Sequence, residues 1–350
     1  MGMRILKNLE VPTGNILVVE GAHGGLECLS LGDYGKDVNL NQGKAVKDGT
    51  PLMPLSEKWV VTISTQYGCS QKCSFCDVPK VGPGKNATYS DLKGQVFSVL
   101  SIHPEVAHTK RLNIHFARMG EPTWNSNIID FASSIPVELR ERLDGSLIHP
   151  VVSTMMPRKN RHLFEFLNDW MFIKNVIFHG DAGLQISMNS TDDSERDLMF
   201  GGCARSVSDI SKMCKRLPSP VGRKITLNFA VAGYKVDAEL LKRLFDPSKF
   251  VCKLTPMHKT ATAVDNGVKT EGDYTTPEPY QALAGSLKAV GFDVLTFIAS
   301  EDEDLSRITC GNAILSGTMP HKYKEAECEL NTSIQKGTPP LNLGVSQVTG

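Results

Sequence analysis

The chain has 350 residues, 41% of them hydrophobic, so it can bury a large core and is no small disulfide-stapled domain. Its 38 basic and 38 acidic residues cancel, which excludes a global positive field for holding nucleic acid and leaves only a local basic patch open. Nine cysteines, no apolar amino-terminal signal region and no apolar run of about eighteen residues point to a soluble, reducing, cytoplasmic setting with no membrane partner.

In chain order, residues 1–58 come first and have a β-rich character. Asn15-Ile-Leu-Val-Val-Glu20 and Leu26-Glu-Cys-Leu-Ser-Leu31, separated by His23-Gly24-Gly25, predict a hairpin within a small extension. Cys28 lies inside it and suits a buried apolar position better than a ligand. From Val60 onward, short β-branched or apolar runs alternate with longer amphipathic stretches. Strands are expected at 60–65, 112–117, 148–153, 183–188, 224–231, 250–256 and 293–298. Helices are expected near 90–101, 127–134, 161–170, 206–216, 236–244 and 277–290. Thr88-Tyr-Ser-Asp91 caps the first of these, and Pro277 and Pro279 suit the first turn of the last. Six βα units and a further strand predict an α/β fold, a partial (β/α)6 barrel over 59–318. The tail, 319–350, contains Lys336-Gly-Thr-Pro-Pro340, lacks periodicity and reads as a loose strap or disordered segment.

The loop after the first barrel strand reads Tyr67-Gly-Cys-Ser-Gln-Lys-Cys-Ser-Phe-Cys-Asp77. Cys69, Cys73 and Cys76 suit three ligands of a four-iron, four-sulfur cluster, because a fully capped cluster takes four thiolates and three leave one iron open. A structural zinc site needs a further ligand pair at comparable spacing, whereas Cys203, Cys214 and Cys252 are scattered. Phe75, just before the third cysteine, strengthens the cluster reading.

In such a barrel the chemistry gathers at the carboxyl ends of the strands. Met119-Gly-Glu-Pro122 follows the second strand. Gly120 there permits close backbone approach and Glu121 can accept hydrogen bonds from an ammonium, although the tripeptide alone is also an ordinary turn. Ser153 ends the third strand; Ser187 and Asn189 end the fourth. Their hydroxyl and amide groups suit a carboxylate and a ribose, while Asn189 and Ser190 equally suit capping of the following helix. His258, after the sixth strand, suits either an adenosine contact or a structural hydrogen bond.

The cysteine run resembles the cluster loop of the radical S-adenosylmethionine (SAM) superfamily. Ser64-Thr-Gln-Tyr-Gly-Cys69 through Cys76, Arg118-Met-Gly-Glu-Pro122 with Asn125, Ser153-Thr154, Ile186-Ser187-Met188-Asn189 with Asp193 and Arg196, and Thr309-Cys310-Gly311 occur in the order seen in the RlmN/Cfr family. The similarity covers about residues 60–318. It implies a radical SAM barrel and a [4Fe-4S] cluster on Cys69, Cys73 and Cys76. It also implies SAM held by Gly120, Glu121, Ser153, Ser187, Asn189 and His258, and an electron donor such as flavodoxin or ferredoxin. The implied activity is methylation of carbon 2 or carbon 8 of adenosine in tRNA or rRNA, or of another purine-containing substrate. The cysteine matching Cys310 would carry the methyl group.

Three departures accompany the match. The family's resolving cysteine corresponds here to Thr62, its histidine in Ser-Leu-His to Asn189, and its SAM-binding asparagine to His258. The helical RNA-binding domain that usually precedes the barrel is missing or replaced by the β-rich extension. An alternative function is therefore a radical SAM enzyme performing hydrogen abstraction, rearrangement or crosslinking on another substrate. A cluster-bearing sensor is a third.

Overall fold

The computed structural model describes residues 2–35, 50–270 and 276–323; the Lys336–Pro340 stretch and Cys328 lie outside them. Three strands open the chain: β1 (Ile5–Val11), β2 (Gly14–Gly21) and β3 (Gly24–Leu31). They are followed by β4 (Trp59–Ile63), the short pair β5 (Gln66–Gly68) and β6 (Pro83–Asn86), then β7 (Arg111–Phe116) and β8 (Leu147–Thr154). The last strands are β9 (Gly183–Ser187), β10 (Ile225–Val231), β11 (Phe250–Pro256) and β12 (Asp293–Thr296). One ten-stranded sheet runs β1-β2-β3-β4-β7-β8-β9-β10-β11-β12. From β4 to β12 all neighbours are parallel. The amino-terminal strands pair antiparallel, and β3 pairs antiparallel with β4. The β-rich extension is thus a continuation of the barrel sheet.

Helices α1 (Tyr89–Ser101), α2 (Asn127–Glu138) and α3 (Leu163–Phe172) cover the first crossovers. They are followed by α4 (Asp193–Met199), α5 (Val207–Cys214), α6 (Ala238–Leu244), α7 (Ala261–Asp265), α8 (Glu278–Ala289) and α9 (Glu301–Leu305). Thr88 and Asp91 form the capping box expected for α1. Among the described residues no helix is long and apolar enough to cross a membrane.

The barrel strands have unequal faces. Trp59, Val61, Ile63, Leu112, Ile114, Phe116, Leu184, Ile186, Leu227 and Leu254 are buried in the main core. The intervening Thr62, Asn113, His115, Ser153, Gln185, Ser187, Thr226 and Lys253 are half-buried. Alternation of this kind sends apolar side chains to one face and polar ones to a solvent-reached lumen. Beyond β12 the chain returns to the opposite edge of the sheet, where Ile308 and Ile314 pack with Val11, Ile16, Val18 and Leu29. This return carries Cys310 across the open side of the barrel.

Candidate active site

The cysteine loop hangs from the β5–β6 pair. Cys69 N donates to Gly82 O at 3.0 Å, and Cys76 N donates to Cys73 O at 3.2 Å. Gly84 adopts a positive φ of +89°, and a Cβ there would approach Ser70 N to 2.7 Å, so the hairpin closes only around glycine. Burial pushes the Cys69 thiol up to about 11 and raises Cys73 and Cys76 further, with Cys69 adding to both and Cys76 to Cys73. Among the described residues no three His, Cys, Asp or Glu side chains converge on one metal ion. Cys69 bears electrostatically on both Cys73 and Cys76, so the three thiols are grouped, as a cubane cluster with one thiolate on each of three irons needs. The fold also brings in a fourth thiol that sequence spacing left remote: Cys203 bears on Cys69 electrostatically and donates to Gly201 O at 3.4 Å.

The Cys310 turn is hydrogen-bonded directly to this loop. Asp77 N, one residue past Cys76, donates to Gly311 O at 2.8 Å. The buried Asp77 carboxylate accepts from Thr262 N at 2.8 Å, Thr262 Oγ1 at 2.6 Å and Ala261 N at 3.2 Å. Burial would raise this carboxyl, but those donors and Lys80 outweigh it and hold it below the usual range. Thr260 Oγ1 donates to Phe75 O at 2.8 Å. The loop, the start of α7 and the Cys310 turn are therefore one bonded unit. Cys310 is solvent-exposed. Although the residue reaches solvent, desolvation of its sulfur raises the thiol, outweighing Lys253 and Arg118, which draw it down.

Glu121 lies beside Cys69 on the adjacent strand end. Its N–H donates to Gln66 Oε1 at 2.9 Å. Its carboxylate accepts from Thr123 Oγ1 at 2.8 Å, Thr123 N at 3.2 Å and Met155 N at 3.0 Å. Burial nonetheless leaves its pKa raised. Gly120, at φ +95°, would bring a Cβ within 2.6 Å of the Gln66 side chain. Ser153 and Ser187 are half-buried on the lumen faces of β8 and β9. Asn189 is buried with φ 57°, a conformation asparagine tolerates, and its Oδ1 accepts from Ala230 N at 3.0 Å. Ser190 bonds Glu195 and the Lys235 carbonyl, whereas the side-chain cap of α4 is Asp192. Arg196 reaches inward from α4 to the carbonyls of Ser187 and Met188, fixing the end of β9. Burial lowers its pKa to about 10.

His258 Nδ1 lies 2.9 Å from Asp304 Oδ1. The buried Asp304 also accepts from Lys259 N at 3.0 Å and from the Thr309 hydroxyl, so it ties His258 to the residue before Cys310. A second carboxylate missed in the sequence is Glu27. It takes two hydrogen bonds from Arg118, at 2.9 and 2.7 Å, and one from Leu315 N at 2.7 Å. Thr62 lies in the lumen opposite His115. Cys28, Cys214 and Cys252 are buried, whereas Cys310 is exposed.

No family model matches the chain. It is 25% identical over 249 residues to a probable dual-specificity RNA methyltransferase RlmN of Deinococcus deserti, covering 69% of this chain and 66% of that protein. It is 30% identical over 195 residues to the dual-specificity RNA methyltransferase RlmN of Aliarcobacter butzleri, covering 54% and 49%. The chain thus spans between about half and just under two thirds of these relatives. Its fold matches a radical SAM methyltransferase from Sphaerobacter thermophilus with TM-score 0.63 and 18% identity, over 89% of this chain and 81% of that one. In sequence the chain is thus similar to RlmN dual-specificity RNA methyltransferases, and its fold is that of the methyltransferase from Sphaerobacter thermophilus.

Proposed function

We propose that the protein is a radical SAM methyltransferase that uses Cys310 to carry a methyl group to an unactivated carbon of a purine, with adenine in tRNA or rRNA as the first substrate to test. The observation that carries this reading is the bond from Asp77 N to Gly311 O, 2.8 Å, which seats the Cys310 turn against the three-cysteine loop. Cys69, Cys73 and Cys76 would hold the cluster, which when bound and reduced supplies the electron that cleaves SAM. Glu121 would accept the SAM ammonium, with Gly120 allowing the approach. Ser153, Ser187, Asn189 and His258 would meet the carboxylate, ribose and adenine. Cys310, whose raised pKa Lys253 and Arg118 partly offset, would take the methyl group by displacement, the new sulfur–carbon bond forming as the sulfonium bond breaks. A relay of this sort answers a chemical need, since an amidine carbon is no nucleophile. The electron would come from a small reductant of the flavodoxin or ferredoxin class.

The test is anaerobic reconstitution followed by reduction in the presence of RNA and methyl-labelled SAM, with analysis of nucleosides and 5′-deoxyadenosine. Wild type is expected to bind about four irons and four sulfides, form 5′-deoxyadenosine and label an adenine carbon. Cys310→Ala is expected to retain SAM cleavage and lose labelling. Undiminished labelling in that variant sinks the carrier role.

A further inference from the structure

Asn228 stands at the middle of β10 on the lumen face, paired in register with Ser187 on β9 and Lys253 on β11. It is only 9% exposed, and its Oδ1 has no hydrogen-bond partner. Its Nδ2 is 3.5 Å from Thr255 Oγ1, which leaves the carbonyl as the open acceptor. A buried acceptor left empty is costly and points to a ligand that brings a donor. Lys253 has no carboxylate within ion-pair distance among the described residues, and its Nζ sits 5.6 Å from the centre of the half-buried Phe297 ring. Lys253 also faces Cys310 electrostatically. An N–H acceptor and a cationic donor therefore stand in one register row, with an aromatic face beside the cation and Cys310 within its electrostatic reach.

We infer that this row is the seat of the methyl-accepting base, with Asn228 reading an exocyclic amino group, Lys253 donating to a ring nitrogen and Phe297 stacking on the base. The inference rests on the proposed methyltransferase reading and names its specificity determinant. Adenine meets all three groups: its 6-amino group donates, its ring nitrogens accept and its face stacks. A ring nitrogen bonded to an ammonium also makes the neighbouring carbon poorer in electrons, which suits radical addition there.

The test is equilibrium binding to the cluster-loaded, unreduced protein with SAM saturating, so that the SAM pocket is filled. The probes are a short single-stranded RNA with one central adenosine and the same RNA with purine riboside, which lacks the 6-amino group. Wild type is expected to prefer adenosine about tenfold or more. Asn228→Ala should lose the preference and Asn228→Asp should keep it, because a carboxylate still accepts. Lys253→Met should weaken both RNAs alike. No preference in wild type, or an undiminished preference in Asn228→Ala, overturns the assignment. Methyl transfer is scored separately: transfer without discrimination sinks this inference alone, and discrimination without transfer sinks the methyltransferase reading and leaves the row as a base-binding site that accepts no methyl group.

Discussion

Glu121 shows how a single side chain can serve fold and ligand at once. Three donors from Thr123 and Met155 already occupy part of its carboxylate, so an alanine there removes a structural bond set as well as a charge. Glu121→Gln is the cleaner variant, since it keeps the shape and one acceptor oxygen. It is expected to bind SAM about tenfold more weakly while still assembling the cluster, as loss of a charge-assisted hydrogen bond costs about 1.5–3 kcal/mol. Calorimetric affinity equal to wild type would reduce Glu121 to its structural bonds. Residue types chosen for chemistry, such as the cysteines and Glu121, were visible in the sequence because each stands in a short local pattern. Asp304 and Glu27 were not, because their partners are remote: Arg118 is 91 positions from Glu27. Only folding reveals that Asp304 accepts both from Lys259 N and from the Thr309 hydroxyl of the Cys310 turn.

At the scale of elements, the central parallel strands were legible because each alternates apolar and polar residues and is followed by an amphipathic stretch. The strand β1 was missed because it is an edge strand with a mostly exposed Leu6-Lys7-Asn8 segment. The β5–β6 pair carries no strand pattern in the sequence, because glycine and proline break up its short runs. The larger surprise is that the three amino-terminal strands continue the barrel sheet, with Glu27 delivering a carboxylate into the bond network of the Cys310 return. The Glu27–Arg118 pair joins β3, the loop after β7 and the carboxyl-terminal return, all in buried surroundings. Arg118→Met leaves Glu27 as an uncompensated buried charge, and its expected cost is about 3–5 kcal/mol in urea unfolding. A loss below about 1 kcal/mol would mean that water or another cation takes the place of Arg118.

For the whole molecule, the lumen imposes a pH limit on stability. His149 is buried near the base of the barrel, and burial, then Arg223 and Arg111, push its pKa down to about 2 from 6.5. Asp181 lies 3.6 Å away but is shared with Arg111 and Arg223, so the imidazole stays neutral in the fold. A depressed folded pKa means that the unfolded chain takes up the proton first. The stabilising contribution is complete above 6.5 and is lost as pH falls from there toward about 2. Urea midpoints measured down this range should drop, and His149→Gln should flatten the slope. An identical slope in the variant would assign the acid sensitivity to other groups.

The union of the Cys310 turn with the cysteine loop is the feature on which the functional reading depends, and one measurement reaches it directly. Protein purified without oxygen, supplied with SAM and digested should show one added methyl group on the peptide containing Cys310. The modification should be absent from Cys310→Ala. An unmodified Cys310 in protein that binds its cluster and cleaves SAM would contradict the relay.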